Sequence, residues 1–280
     1  MTTVDVVCQS LASIAPLRLA ESWDNVGLLI GDRAAQVDRV MTCLTITPDV
    51  IDEAIDEAVG MIVAHHPLPF KPISKITSDT ISGSMMVRLV AAGIAVYSAH
   101  TAFDSAKNGI NAMWAESLAL SKVRPLQPID GEPDVLLGQN ASLGRGRYGY
   151  LAEKQSVKTF ARIAVGVCGA PHGRIVTPDG TMTSSVHKVG IACGSGGSMI
   201  AAAARQGCDT FVTGEATFHG CLEARSLGVN LILVGHYHSE RFAMERLAST
   251  LAVDLTDVTV FASRRESDPL KPIELPTAKD

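Results

Sequence analysis

Residues 38–67, "DRVMTCLTITPDVIDEAIDEAVGMIVAHHP", decide the fold class. "DRVMTCLTI" reads as a strand, and the next fourteen residues, "TPDVIDEAIDEAVG", read as a helix. Thr47 is a favoured N-cap type, Pro48 fits the first helical position, where the missing N–H would be unpaired anyway, and Gly60 stands past the end. "MIVA" (61–64) is then a short, fully apolar run, the mark of a buried strand, and Pro67 closes it. Strands joined by a helical crossover pair in parallel under a cover of helices.

The rhythm continues in both directions. Val4, Val7, Cys8, Leu11 and Ile14 follow helical spacing up to Pro16. "SGSMMVRLVAAG" is a helix leading to the strand "IAVYSA", and "NGINAMWAESLAL" is a further helix. Residues 121–150, rich in Pro, Gly and polar residues, break the pattern and mark a domain boundary. A second α/β region follows: the helix "SVKTFARIAVGV", then strands in "HKVGIAC", "CDTFVT" and "NLILVG", each followed by a helix. "DVTVFAS" is a last strand before a polar tail. The expectation is α/β, two α/β domains with mostly parallel sheets and a site in the cleft between them. Residues 1–125 form the first, joined by the C-terminal strand and tail 252–280, and 126–251 form the second.

At 280 residues and 46% hydrophobic, the chain can bury such cores. Net charge is −5, with no stripe of Lys and Arg, which argues against a nucleic-acid partner. No apolar run reaches the roughly 20 residues a membrane span needs, and the N-terminus lacks a basic leader, so a cytoplasmic protein is expected. Six scattered cysteines with no CxxC pair read as reduced core thiols.

Ligands of open α/β sheets bind beyond the carboxyl ends of the strands. There the sequence places His65 and His66, His100 and Asp104, Glu215, and His236 with Glu240. Imidazole and carboxylate suit zinc, iron, manganese or nickel, and taken singly each histidine is as readily a strand cap or a core residue. His236 and Glu240 stand at i, i+4; His100 and Asp104 are separated by "TAF", a short loop that can turn both inward or leave either in solvent.

"ESWDNVGLLIGD" (21–32), "VAHHPLPF" (63–70), "SAHTAFD" (98–104), "GSGGS" (194–198), "TGEATFH" (213–219) and "VGHYHSE" (234–240), in this order, resemble the YbgI/Nif-three-like family of GTP cyclohydrolase 1 type 2 homologues. The resemblance spans nearly the whole chain. It implies two α/β domains, a toroidal homohexamer, and two divalent metal ions per chain held by His65, His66, Asp104, His236 and Glu240, with Asp104 the expected bridge. His100 and His219 then fall near the centre as supporting groups or proton donors, and Glu215 as a general base or substrate contact. With Glu215, they make up the candidate catalytic set. Many members have Asn at Ala102 and Asp at Thr45, so substrate contacts made there are in doubt, and an inserted domain found in some relatives is absent.

Other motifs carry two readings each. "CGSGGS" (193–198) is a tight turn or a phosphate cradle, though neither GxGxxG nor a Walker loop. In "WDNVG", Trp23 is a packing anchor and Asp24 and Asn25 are turn residues, or the segment lies at the cleft rim or a subunit contact. Arg145 and Arg147 belong to a solvated turn or contact a phosphoester.

Together these imply a dinuclear metal-dependent hydrolase, metal-bound hydroxide attacking a nucleotide or related small-molecule substrate. Alternatives are a non-catalytic metal-binding regulator or metal chaperone, and a phosphoesterase. A purely structural role for the histidines predicts no stoichiometric metal.

Overall fold

A computed structural model describes residues 1–129, 143–271 and 273. The middle of the 121–150 break and the end of the tail lie outside the described residues.

The Thr3 side chain caps helix α1 (Val4–Ile14), whose Val4, Val7, Cys8 and Leu11 are buried as their spacing requires. After β1 (Gly27–Ile30), the deciding stretch folds as read: β2 (Arg39–Cys43), α2 (Pro48–Asp56) with the Thr47 hydroxyl accepting from Val50 N, and β3 (Met61–Ala64). Next come α3 (Ile81–Ala91), β4 (Ala95–Ser98), α4 (His100–Ser105) and α5 (Ile110–Ser117). "TAF" is therefore helical, and His100 and Asp104 sit at i, i+4 on α4.

The second half contains β5 (Ser121–Arg124), the short pair β6 (Gln127–Pro128) and β7 (Gly144–Arg145), and β8 (Arg147–Ser156). It continues with α6 (Val157–Val167), β9 (Arg174–Val176), β10 (Ser185–Ala192) and α7 (Ile200–Arg205). It ends with β11 (Thr210–Thr213), α8 (Phe218–Ser226), β12 (Asn230–Leu233), α9 (His236–Asp254) and β13 (Thr259–Ala262).

Two main sheets result, ordered β1-β4-β3-β2-β13 and β5-β8-β10-β11-β12-β9. The first is parallel except for β1, and the second has a parallel centre, β10-β11-β12, with β8 and β9 antiparallel to it and β5 antiparallel to β8. The strand β13 pairs with β2, so the end of the chain returns to the first sheet. The long helix α9 packs there too, and Thr42 Oγ1 donates to Met244 O at 2.8 Å.

Strand residues alternate between faces. Met41, Ile62 and Val96 turn outward with α2 and α3, whereas Val40, Val63 and Tyr97 turn inward. The inward set joins Val189, Ile191 and Val212 of the second sheet and Leu247 of α9 in one continuous core. Phe211 and Leu231 face a third cluster beneath α7 and α8. The molecule is thus helix, sheet, helix, sheet, helix, with the strand ends of both sheets opening on one cavity.

All six cysteines are free, and all but Cys221 are buried. Arg147 departs from expectation: it is 2% exposed and donates to the carbonyls of Gly144 (2.6 Å), Gly146 (2.7 Å), Ser105 (3.4 Å) and Ala106 (2.7 Å). Its guanidinium joins α4 to the second sheet instead of facing solvent. Ala102 is fully buried in the core. Among the described residues, no helix is long and apolar enough to cross a membrane.

Candidate metal centre

His65 and His66 follow β3 directly, and their amides continue the pairing at the end of β2, His65 N to Cys43 O and His66 N to Leu44 O. Both rings nevertheless enter one cluster, with centroids 5.1 Å apart. His100 lies 5.2 Å from His65 and 5.6 Å from His66, and His236 lies 5.4 Å from His66. Ligand atoms of His65, His66 and His100 form one group compact enough for an ion, and those of His66, His236 and Glu240 form another.

Glu240 connects them. Its Oε2 is 3.2 Å from His66 Nε2 and 3.1 Å from His236 Nε2, while Oε1 is 3.8 Å from His65 Nε2. Asp104 Oδ1 stands 3.7 Å from His65 Nε2 and accepts from Cys193 Sγ at 3.2 Å. Glu240 thus faces histidines of both groups, whereas Asp104 faces His65.

Three imidazoles have Nδ1 engaged from outside the cluster. His66 Nδ1 meets Thr45 Oγ1 at 2.7 Å, His100 Nδ1 meets Asp24 Oδ1 at 2.7 Å, and His236 Nδ1 meets Glu215 Oε1 at 2.9 Å. A carboxylate only accepts, so Nδ1 of His100 and of His236 each carries a hydrogen with Nε2 facing inward, and His236 Nε2, which also faces a carboxylate, Glu240, carries a second when the ring is charged. Such partners orient metal-binding histidines and raise their basicity. His65 differs: it is 2% exposed, and neither ring nitrogen has a hydrogen-bond partner among the described residues. Buried polar atoms are rarely left so, and a divalent ion would satisfy this one.

Burial and the cluster's own charges set the protonation of these groups. Burial holds His65 well below the usual histidine range, hence neutral. Burial pushes Asp104 up to about 7, aided by the Glu240 charge. For Glu240 burial acts upward, but hydrogen bonds from His236 and His66 outweigh it and hold the carboxyl well below its ordinary range. The Glu240 hydrogen bond raises His236 to about 9 against burial, with Glu215 adding to it. Burial opposes ionisation of Asp24, yet bonds from His100 and Thr101 bring it down to about 2. Gly194, at φ +59, closes the cluster from below: a Cβ there would lie 2.2 Å from Glu240 Oε1. Only glycine lets the backbone pass so near.

The centre lines a cavity of about 680 Å³ bordered by both halves, including Trp23, Phe70, Arg145, Cys193 and Ser195. "CGSGGS" behaves mainly as a structural turn, because the amides of Cys193, Gly194 and Gly196 donate to Asn111 Oδ1, Ser239 Oγ and Thr213 Oγ1. Arg145 pairs with Glu21 on the cavity rim. Glu215 is half exposed and accepts from Ser195 Oγ at 2.5 Å, behind His236. His219 is exposed in a neighbouring hollow with Glu215 and Ser195, away from the cluster. His238 pairs with Asp268 of the tail, Nε2 to Oδ2 3.3 Å.

The sequence offers Asp24 either as a turn residue or as part of the cleft rim. Asp24 and Thr45 orient His100 and His66 by hydrogen bonds, and the sequence singled out Thr45 only through the resemblance, as a position where many members carry Asp.

The sequence model of the Duf34/NIF3 (NGG1p interacting factor 3) family matches residues 2–269. The chain belongs to this family. Its Duf34/NIF3 relatives include a GTP cyclohydrolase 1 type 2 homolog of Clostridium acetobutylicum, 33% identical over 84% of each chain. A NIF3 homolog of Schizosaccharomyces pombe is 31% identical over 92% of this chain and 94% of its own. Among solved structures, a Bacillus cereus protein related to NIF3 superposes with a TM-score of 0.87, covering 98% of this chain and 99% of that one at 24% identity. That likeness shows the Duf34/NIF3 fold.

Proposed function

We propose that this protein is a dinuclear metal-dependent hydrolase acting on a nucleotide or related small molecule. The observation that carries the reading is Glu240, one oxygen facing His66 and His236 and the other facing His65. His65, His66, Asp104, His236 and Glu240 hold the metals in this reading, and His100, which shares a compact group with His65 and His66, is a sixth candidate.

Two divalent ions in such a centre supply Lewis-acid stabilisation of developing negative charge and a nucleophile from water near neutral pH. The chain's own groups prepare the site. Asp24, Thr45 and Glu215 fix the Nε2 atoms inward, and neutral His65 offers a lone pair without a proton to displace. Glu215 acts first by orienting His236, while Ser195, hydrogen-bonded to it, faces the cavity as a substrate contact. His219 serves as a contact in the adjoining hollow.

The name of the Clostridium acetobutylicum relative supports GTP as the first substrate to try, with purine ring opening and loss of formate. The hexamer and the cytoplasmic location belong to the same proposal. So does the division into 1–125 with 252–280 and 126–251, which the return of β13 to β2 supports.

The test is elemental analysis of the purified chain beside His236→Ala, then a nucleotide turnover screen of the metal-loaded protein. Fewer than one ion per chain in the wild type sinks the two-metal reading. Two ions, with no formate from GTP but cleavage of phosphoesters, make it a phosphoesterase. Two exchangeable ions and no turnover of any kind make it a metal carrier or regulator.

A further inference from the structure

Trp23 and Phe70 do not behave as packing residues. They are 60% and 49% exposed, their ring centroids lie 6.1 Å apart, and both line the metal cavity. Each also stands against a histidine of the centre, with Trp23 6.1 Å and Phe70 6.0 Å from the His100 ring. Exposed large aromatics cost solubility, so a pair held at the mouth of a polar cavity calls for an occupant.

Their loops are braced in place. Asn25 Nδ2 donates to Pro69 O at 2.7 Å, joining the Trp23 loop to the Phe70 loop. Asp24 holds His100 and Thr101, and Glu21 N donates to Thr101 Oγ1 at 3.0 Å. The two loops are therefore tied to each other and to α4, and they set the rings side by side with their planes tilted by 50°. On the same rim, Glu21 and Arg145 offer a hydrogen-bond acceptor and a donor for the polar edge of a planar ring.

We infer that Trp23 and Phe70 form a stacking wall that holds a planar heteroaromatic ring beside the metal centre, with Glu21 and Arg145 reading its edge. This rests on the proposed hydrolase reading and adds the part of the substrate that is recognised. Stacking suits any flat π face, whereas an aliphatic or sugar phosphate gains nothing from it.

The chain has two tryptophans, and the other, Trp114, is 1% exposed, so emission changes on ligand binding report on Trp23. The metal-loaded full chain is titrated with guanosine monophosphate, guanosine and ribose 5-phosphate, by emission and by calorimetry. Quenching by the first two but not by ribose 5-phosphate is expected. Calorimetry of Trp23→Ala and of Phe70→Ala should show guanosine monophosphate binding at least about tenfold weaker, with Trp23→Phe close to wild type and metal content unchanged.

Equal affinity for ribose 5-phosphate, or unchanged affinity in both alanine variants, overturns the inference. So does loss of assembly in Trp23→Ala, measured by sedimentation, with ring binding intact, because the wall is then a subunit contact. Two bound ions and turnover without ring preference would overturn it while leaving the hydrolase standing. Ring binding by the wall without stoichiometric metal would uphold the wall and remove the hydrolase.

Discussion

Thr45 Oγ1 stands 2.7 Å from Nδ1 of His66, on the opposite side of the ring from Glu240. The hydroxyl thereby decides which nitrogen faces the centre. Thr45→Val keeps the shape and removes the partner, so metal affinity should fall about 10- to 100-fold with the fold unchanged. Thr45→Asp, a stronger acceptor, should keep or tighten binding. Competition against a chelator, with circular dichroism as the control, reads both. Undiminished affinity in Thr45→Val would mean that the contact does not set the ring.

Loss of His65 and loss of His66 should not be equivalent. His66 belongs to both ligand groups, whereas His65 belongs to one. His66→Ala should therefore lower total metal content more than His65→Ala, which should leave the group of His66, His236 and Glu240 occupied. Elemental analysis at matched free-metal concentration checks this, and equal losses would contradict the shared role of His66.

Glu53 offers a stability test away from the metal site. Its buried carboxylate accepts from Ser263 Oγ at 2.6 Å, Arg264 N at 2.9 Å and Arg265 N at 3.0 Å, pinning the chain after β13. Burial pushes its pKa upward, but these bonds prevail and lower it below 4.5. A lowered folded-state pKa gives stability that is full above about pH 4.5 and lost as pH falls through the folded value. Glu53→Gln should cost about 1–3 kcal/mol at pH 7. Denaturant titrations across pH should show that gap closing in acid, and a gap independent of pH would refute the carboxylate's role.

Arg147 should matter to both folding and metal binding. Arg147→Met leaves four carbonyls without this donor, two of them, Ser105 and Ala106, at the end of the helix that carries His100 and Asp104. A loss of about 3 kcal/mol is expected, together with weaker metal retention. Calorimetric unfolding of metal-free protein separates the two effects, and a variant as stable as wild type would show that the bonds are replaceable.

The central strands were readable because burial on both faces leaves a continuous apolar run, as in "MIVA", "TFVT" and "NLIL". The edge strands carry no such mark. In β5, "SKVR", every residue is exposed, and β8, "RYGYLAEKQS", pairs antiparallel through mixed polar residues. The strand-end rule made seven candidate residues legible, and the set of five ligands among them came from the resemblance alone. Their orienting partners were less legible: Asp24 and His100 are 76 positions apart, and contacts between distant side chains leave no local period. Arg147, next to glycines and a tyrosine, looked like a turn residue, and its burial depends on carbonyls of α4, some forty residues earlier.

The core that runs unbroken from Val63 and Tyr97 through Leu247 to Val189 and Val212 governs how a ligand arrives. With hydrophobic packing continuous between the sheets, the halves have no oiled hinge on which to swing apart. In the hydrolase proposed above, ions and substrate would therefore pass through the mouth beside Trp23 and Phe70, and the cavity would keep its shape.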